Sequence, residues 1–301
     1  MCPVSDIFGP RIGVGPVLDC PCDINRLTRP GHVQFSTDRA LSETELGTHI
    51  LTTTAPKITV VVPTYNEREN LPLLTSQLDS LGIPNLHVLI VDDDSPDGTG
   101  EVADRLAKQS NGAVSVLHRA EKDGLGRAYV AGMTRALAQD AEIVIQMDAD
   151  LSHPVAAIPT MIDKILNKNA DVVIGSRYVA GGSTASEWPW HRKALSAWAN
   201  FYVSVILGLK VKDCTAGFKA WSALALGLID VSTIKSDGYS FQVEMNYRAA
   251  QRGLKITEVP IHFEERVEGA SKMNLREQLE SALTPWKLRL KRDSPVLVPK
   301  S

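Results

Sequence analysis

One rhythm constrains this chain more than any other feature. From residue 57 onward, short β-branched runs alternate with segments of helical spacing, and the runs end in polar clusters. Residues 57–62 (KITVVV) stop at Pro63, residues 86–91 (LHVLIV) run into Asp92-Asp93-Asp94, and residues 142–147 lead into Asp148-Ala149-Asp150. Further strands are predicted at 114–118, 171–176 (DVVIGS) and 255–263. Helical spacing fills 66–81, 99–109, 126–139 and 155–167, and two later helices are predicted at 190–209 and 274–292. Continuously apolar strands alternating with helices argue for βαβ units and a parallel sheet covered on both faces. The predicted fold is therefore α/β, and ligands in such sheets bind beyond the carboxyl ends of the strands.

The unusual polar clusters lie at those ends. In PTYNE (63–67) Asn66 is suited to cap the following helix, but a cap leaves Tyr65 unexplained, and its ring at a strand mouth is suited to stack on a base. DDDSPDGT (92–99) has turn chemistry, yet three adjacent carboxylates repel one another unless something uses them. Asp148 and Asp150 are spaced to turn toward one hard cation where the strand breaks, helped by Pro154. They equally suit an acidic helix start. Arg177, in GSRY, either holds a phosphate or pairs with a nearby Asp. Gly124-Leu125-Gly126 lacks the spacing of the standard phosphate fingerprints and reads as a tight turn.

Residues 1–56 are rich in Pro, Gly, Ser and Thr without a sustained period; they read as a mostly irregular extension with a short helix near 42–50. The domain spans 57–292, and 293–301 form a tail. Among the 301 residues the formal net charge is −3, so no global basic field invites nucleic acid. Cys2, Cys20, Cys22 and Cys214 read as reduced thiols rather than a zinc site. No apolar run reaches the roughly 20 residues of a membrane span, and the N-terminus lacks a secretory pattern. The expected location is cytoplasmic. His191-Arg192-Lys193 opens an aromatic-rich helix flanked by Trp188, Trp190 and Trp198, and residues 286–292 (WKLRLKR) have the same character. These read either as core helices with basic ends or as helices at a bilayer surface. Residues 264–272 (EERVEGASK) read either as a solvated loop or as a basic flap over phosphates.

Taken in order, PTYNE, VDDDSPDGT, GLGRAY, MDADLSHP, GSRY, DCTAGFKAW, GYSFQVEM and EERVEGASK resemble the family-2 glycosyltransferases over about residues 57–285. The late segments resemble the branch that makes polyprenyl- or dolichyl-phosphate mannose. The resemblance implies a GT-A fold, GDP-mannose as donor, a polyprenyl phosphate as acceptor, and Mg²⁺ or Mn²⁺. By position it implies that Pro63, Tyr65, Glu67, Val91 and Asp93 contact the nucleotide, and that Asp148, Ala149 and Asp150 form the metal–diphosphate centre. Arg177, Arg266 and Lys272 would meet donor phosphates or sugar, and Arg192 and Ser196 the acceptor phosphate. Ser152 stands where some relatives carry a metal-binding Gln, which makes it the third candidate metal ligand beside Asp148 and Asp150. Some members carry C-terminal membrane helices and others use a membrane-protein partner. This chain, ending at Ser301, resembles the type without such helices, placed peripherally at the cytoplasmic membrane face.

The implied reaction is a single in-line, inverting displacement at the anomeric carbon. A lipid phosphate oxygen is already anionic at neutral pH and needs no strong general base. Catalysis would fall on the leaving side, with Asp150 acting through the metal and Arg177 and Arg192 acting on phosphates. Two other readings share the core motifs: a UDP-sugar-dependent glucosyl- or N-acetylhexosaminyltransferase, and a non-catalytic nucleotide-sugar-binding subunit.

Overall fold

The computed structural model describes residues 55–186, 188–264 and, as a helix, 275–290. The expected helix near 42–50 and the sites Arg266 and Lys272 lie outside the described residues. In chain order the elements are β1 (Ile58–Thr64), α1 (Asn70–Ser80), β2 (Leu86–Asp92), α2 (Thr99–Gln109), β3 (Val114–His118), α3 (Leu125–Ala138), β4 (Ile143–Gln146) and α4 (Ile158–Leu166). They continue with β5 (Val172–Ser176), α5 (Trp190–Leu207), β6 (Lys219–Ser222), α6 (Ala223–Leu228), α7 (Gly238–Gln251), β7 (Ile256–Pro260) and α8 (Leu275–Leu290).

Seven strands form one sheet in the order β3-β2-β1-β4-β6-β5-β7. The β3-β2-β1-β4 half is parallel throughout. β6 runs antiparallel to both β4 and β5, while β5 and β7 are parallel. The strands are apolar because both faces are covered. On β1, Ile58, Val60 and Val62 face one core with Leu71, Leu74 and Leu78 of α1; Val61 faces the other with Tyr129, Met133 and Phe241. Alternation of side chains along an extended backbone places them so.

Three elements escaped the sequence reading. β6 has only four residues and begins with a fully buried Lys219. α7 is buried nearly all round, with Gln242, Glu244 and Asn246 inside, so it shows no polar stripe. α6 is a six-residue helix capped by Ser222. The helix predicted from 66 starts later, at Asn70. Asn66 does not cap it: Asn66 takes a left-handed backbone at φ 61°, and the residue at the N-cap position is Glu69.

Candidate active site

The loops after β1 and β2 are sewn together. The backbone N–H of Asn66 donates to Ser95 Oγ (3.2 Å), that of Glu67 to Thr99 Oγ1 (3.0 Å) and that of Arg68 to Asp97 Oδ2 (3.3 Å). The second loop thus serves the free N–H groups ahead of α1, as a cap would. Burial pushes the Asp97 carboxyl up, but hydrogen bonds from Thr99 and Arg68 outweigh it and hold it below its ordinary value.

The acidic triplet divides its work. Asp92 accepts from Ser95 Oγ (2.6 Å) and Thr64 Oγ1 (3.2 Å), which shapes the loop. Asp93 pairs with Arg119 at 2.6 Å; burial raises its pKa, and Arg119 opposes that rise. Asp94 is exposed in a left-handed conformation. Two of the three charges are therefore neutralised or hydrogen-bonded within the protein. Pro63 pairs with Val91 across β1 and β2, so these two predicted contacts are neighbours at the strand mouths. Lys122 Nζ lies 3.6 Å from the Tyr65 ring centroid, so this ring meets a cation on one face.

β4 delivers Asp148, Ala149 and Asp150 into the same crevice. Tyr129 Oη donates to Asp148 Oδ1 at 2.5 Å, and Tyr129 is fully buried, stacked on Phe241. Burial, with the negative charge of Asp148 and Asp150, pushes this hydroxyl well above its ordinary range, so it remains a donor. The backbone N–H of Asp148 donates to His153 Nδ1 (3.2 Å), and the His153 ring stacks on Phe218. Asp150 Oδ1 accepts from the Ser152 N–H (3.1 Å) and Ser152 Oγ (2.6 Å). Between them Leu151 sits at φ 63°, a left-handed position that costs a non-glycine residue roughly 1–2 kcal/mol. The chain bends there, directly after the second acid. Glu264, the last described residue before Arg266, donates its N–H to Ser152 O at 3.2 Å.

These acids form no cluster of three protein ligands among the described residues. The donor set still fits Mg²⁺ or Mn²⁺. Such ions accept one or two carboxylates and complete their shell with phosphate oxygens and water. Space is provided by Gly217, where a Cβ would stand 3.2 Å from Asp148 Oδ2 and 3.5 Å from His153 Cε1.

Arg177 is locked rather than free. Its Nε donates to Asp213 Oδ2 (2.8 Å), its NH2 to Asp213 Oδ1 (2.6 Å) and to Thr215 Oγ1 (3.0 Å). The side chains are 10% and 0% exposed. Burial alone would lower the guanidinium's pKa, but Asp213 outweighs it and raises it. The partner is thus Asp213, from the DCTAGF segment, and not one of the strand-end acids. The GLG segment is likewise a structural turn: Asp237 Oδ1 accepts the Gly126 N–H at 2.5 Å, occupying the start of α3.

Beside the crevice, a cleft of about 400 Å³ runs between α5, α7 and α8, lined by Arg177, Trp188, Arg192, Ser196, Trp198 and Tyr239 among others. The Arg192 guanidinium lies 3.9 Å from the Trp188 ring centroid, and Ser196 Oγ accepts from Tyr178 Oη at 2.7 Å. Beyond the cleft, α5 exposes Trp190 (80%), Phe201 (67%) and Val205 (58%), and α8 exposes Leu283, Trp286 and Leu290 (83%). The two helices are tied by Trp286 Nε1 donating to Tyr202 Oη at 3.0 Å. No described helix is long and apolar enough to cross a membrane.

Sequence reasoning missed Tyr129, His153, Asp213 and Gly217 as parts of this site. All four lie in the quoted segments GLGRAY, MDADLSHP and DCTAGFKAW. Their roles depend on contacts between distant elements.

Comparison with known proteins agrees with this geometry. Residues 59–226 match the family model described as glycosyl transferase family 2. The polyprenol monophosphomannose synthase of Mycolicibacterium smegmatis is 44% identical over 233 residues, covering 76% of this chain and 86% of that one. The undecaprenyl-phosphate mannosyltransferase of Micrococcus luteus is 45% identical over 218 residues, covering 72% and 88%. Among solved structures, the mannosyltransferase PcManGT from Pyrobaculum calidifontis, in complex with GDP-Man and Mn²⁺, superposes with TM-score 0.55 at 17% identity, covering 81% of this chain and 66% of that one. A glucosyl-3-phosphoglycerate synthase from Mycobacterium tuberculosis, with Mn²⁺, uridine-diphosphate and phosphoglyceric acid, superposes with TM-score 0.56 at 17% identity, covering 76% and 78%. At these identities the two structures share the fold.

Proposed function

The chain belongs to glycosyl transferase family 2, and on that premise we propose that it transfers mannose from GDP-mannose to a polyprenyl phosphate, releasing GDP. The observation that carries this reading is the adjacency of two unlike sites. The parallel strands β1, β2 and β4 end on one edge of the sheet, where Asp148 and Asp150 follow β4, and the rings of His153, Phe263 and Trp188 lead from there to an aromatic cleft bearing Arg192. Nucleotide sugars need the first and a phosphate on an apolar tail needs the second.

In this reading Pro63, Tyr65, Glu67, Val91 and Asp93 hold the nucleoside. Arg119, already paired with Asp93, belongs to the same wall. Asp148 and Asp150, with Ala149 between them, would hold a divalent cation, Mg²⁺ or Mn²⁺. Such a cation would supply positive charge to the leaving diphosphate. Ser152 keeps Asp150 oriented through its two hydrogen bonds and stands next to the same shell. Arg266 and Lys272 follow Glu264, which is itself tied to Ser152, and they supply further positive charge to the diphosphate. Arg177 acts mainly by holding the Asp213 loop at the wall of the cleft that it lines.

Arg192 receives the lipid phosphate, with Ser196 beside it. The phosphate oxygen attacks the anomeric carbon from the face opposite GDP, and the configuration inverts. No protein group needs to take a proton, because the nucleophile is already an anion. The isoprenoid tail follows the cleft toward the exposed faces of α5 and α8. Those faces, with His191 and Lys193 at one end and Lys287 and Arg289 at the other, lie on the cytoplasmic membrane surface.

The test is incubation with GDP-mannose and a polyprenyl phosphate, with and without EDTA, reading mannose in the organic phase. The expected result is transfer that EDTA abolishes and that Asp150→Asn reduces by orders of magnitude. Preferential transfer from a UDP-sugar in a donor panel would overturn the donor assignment. Metal-dependent GDP binding with no transfer to any lipid phosphate would overturn the enzyme itself.

A further inference from the structure

The two oxygens of Asp148 have unequal surroundings. Oδ1 is bound by Tyr129 Oη at 2.5 Å, from a ring with no exposed surface that is held parallel to Phe241 with centroids 5.8 Å apart. Oδ2 has no hydrogen-bond partner among the described residues, and the space beside it exists because residue 217 has no side chain. The backbone on either side is also fixed. The Asp148 N–H donates to His153 Nδ1, and His153 is buried between Phe218 and Phe263. A carboxylate left alone at a strand end would rotate freely about its terminal bond and present either oxygen. Here one oxygen is occupied and the other is open.

We infer that Tyr129 and Gly217 act as positioning residues that dedicate Asp148 Oδ2 to the cation–diphosphate, Tyr129 by holding Oδ1 and Gly217 by keeping the approach to Oδ2 clear. The inference rests on the reading of Asp148 as a cation ligand. It has a sequence consequence as well. Tyr129 belongs to α3 and Gly217 to the loop before β6, so two elements from opposite halves of the domain must both be in place before the acid is oriented. Tyr129 is a positioning residue, acting through its bond to Asp148 Oδ1.

The experiment uses the full chain with GDP and titrates Mn²⁺, following free Mn²⁺ by electron paramagnetic resonance. Tyr129→Phe keeps the ring stack on Phe241 and removes only the hydroxyl. Loss of a group that orients a metal ligand typically weakens metal affinity about 10- to 100-fold, and that is the weakening expected here. GDP affinity in EDTA should stay at the wild-type value, because the nucleoside wall is untouched. Gly217→Ala leaves the Tyr129 bond intact and places a methyl 3.2 Å from Oδ2, so it should weaken Mn²⁺ binding by an independent route. Unchanged Mn²⁺ affinity in both variants overturns the inference. An equal fall in metal-free GDP affinity also overturns it, since that marks general damage. If Asp148→Asn binds Mn²⁺ as tightly as the wild type, the ligand reading itself is wrong, which is a separable failure.

Discussion

Lys219 makes the stability of this chain depend on pH. Its side chain has no exposed surface, and its Nζ donates to Gln242 Oε1 (2.8 Å) and Gln242 O (3.3 Å). Neither acceptor is a carboxylate, so no counter-charge touches the ammonium. Burial therefore lowers its pKa from 10.5 to about 7, with Cys214 and Asp213 opposing only in part. A base whose folded pKa lies below its unfolded pKa is less protonated in the folded chain. Stability then rises with pH between the two values and flattens below the lower one. At about 1.4 kcal/mol per pH unit, charging Lys219 in place costs up to about 5 kcal/mol. Most of that cost is present at neutral pH, and between pH 7 and pH 9 stability should rise by about 2 kcal/mol from this group alone. Lys219→Met fills similar volume without a charge. It leaves Gln242 Oε1 still bonded to Gln146 Nε2 at 2.9 Å. Urea unfolding of wild type and variant at pH 6, 7, 8 and 9 gives the difference in stability at each pH. Common contributions such as His87, whose pKa burial lowers, cancel in that difference. The variant's advantage should be about 2 kcal/mol larger at pH 7 than at pH 9, and level below pH 7. A difference that stays constant across the series would refute the reasoning and mean that Lys219 keeps a partner or water that solvates its charge.

Three further outcomes follow from the geometry. Arg192→Ala should raise the KM for polyprenyl phosphate about tenfold or more, the worth of one charge-assisted hydrogen bond, while the KM for GDP-mannose stays near wild type in steady-state assays. Phe201→Glu places a charge on the exposed α5 face, outside the residues that line the cleft; co-sedimentation with anionic vesicles should fall, and binding of the unaltered chain should weaken with added salt. Asp213→Asn leaves the buried Arg177 without its bidentate partner and should cost about 3–5 kcal/mol of stability in urea unfolding.

Much of the molecule was legible in the chain because local chemistry and tertiary role coincide there. β1, β2 and α2 announce themselves by continuous β-branched runs and by helical spacing, and the strand-end clusters stand where parallel sheets bind ligands. β6 and α7 were not legible, since a four-residue strand opening on a buried lysine and a helix buried all round carry no period. Within the site, the residue types were readable and their assignments were not. Asn66 looked like a cap, but its backbone is held by Ser95 from another loop. The acidic triplet looked like unrelieved repulsion, yet Arg119, Thr64 and Ser95 answer two of its charges. Arg177 read equally as a phosphate clamp or as the partner of a nearby Asp, and Asp213, 36 residues away, holds its guanidinium. The α/β class and the place of Asp148 and Asp150 at a strand end could be read from the chain, because they depend on side-chain period and on residue type. Which oxygen of Asp148 is held and which is open could not be read there, because it depends on a hydroxyl from α3 and an absent side chain at Gly217 meeting at one carboxylate.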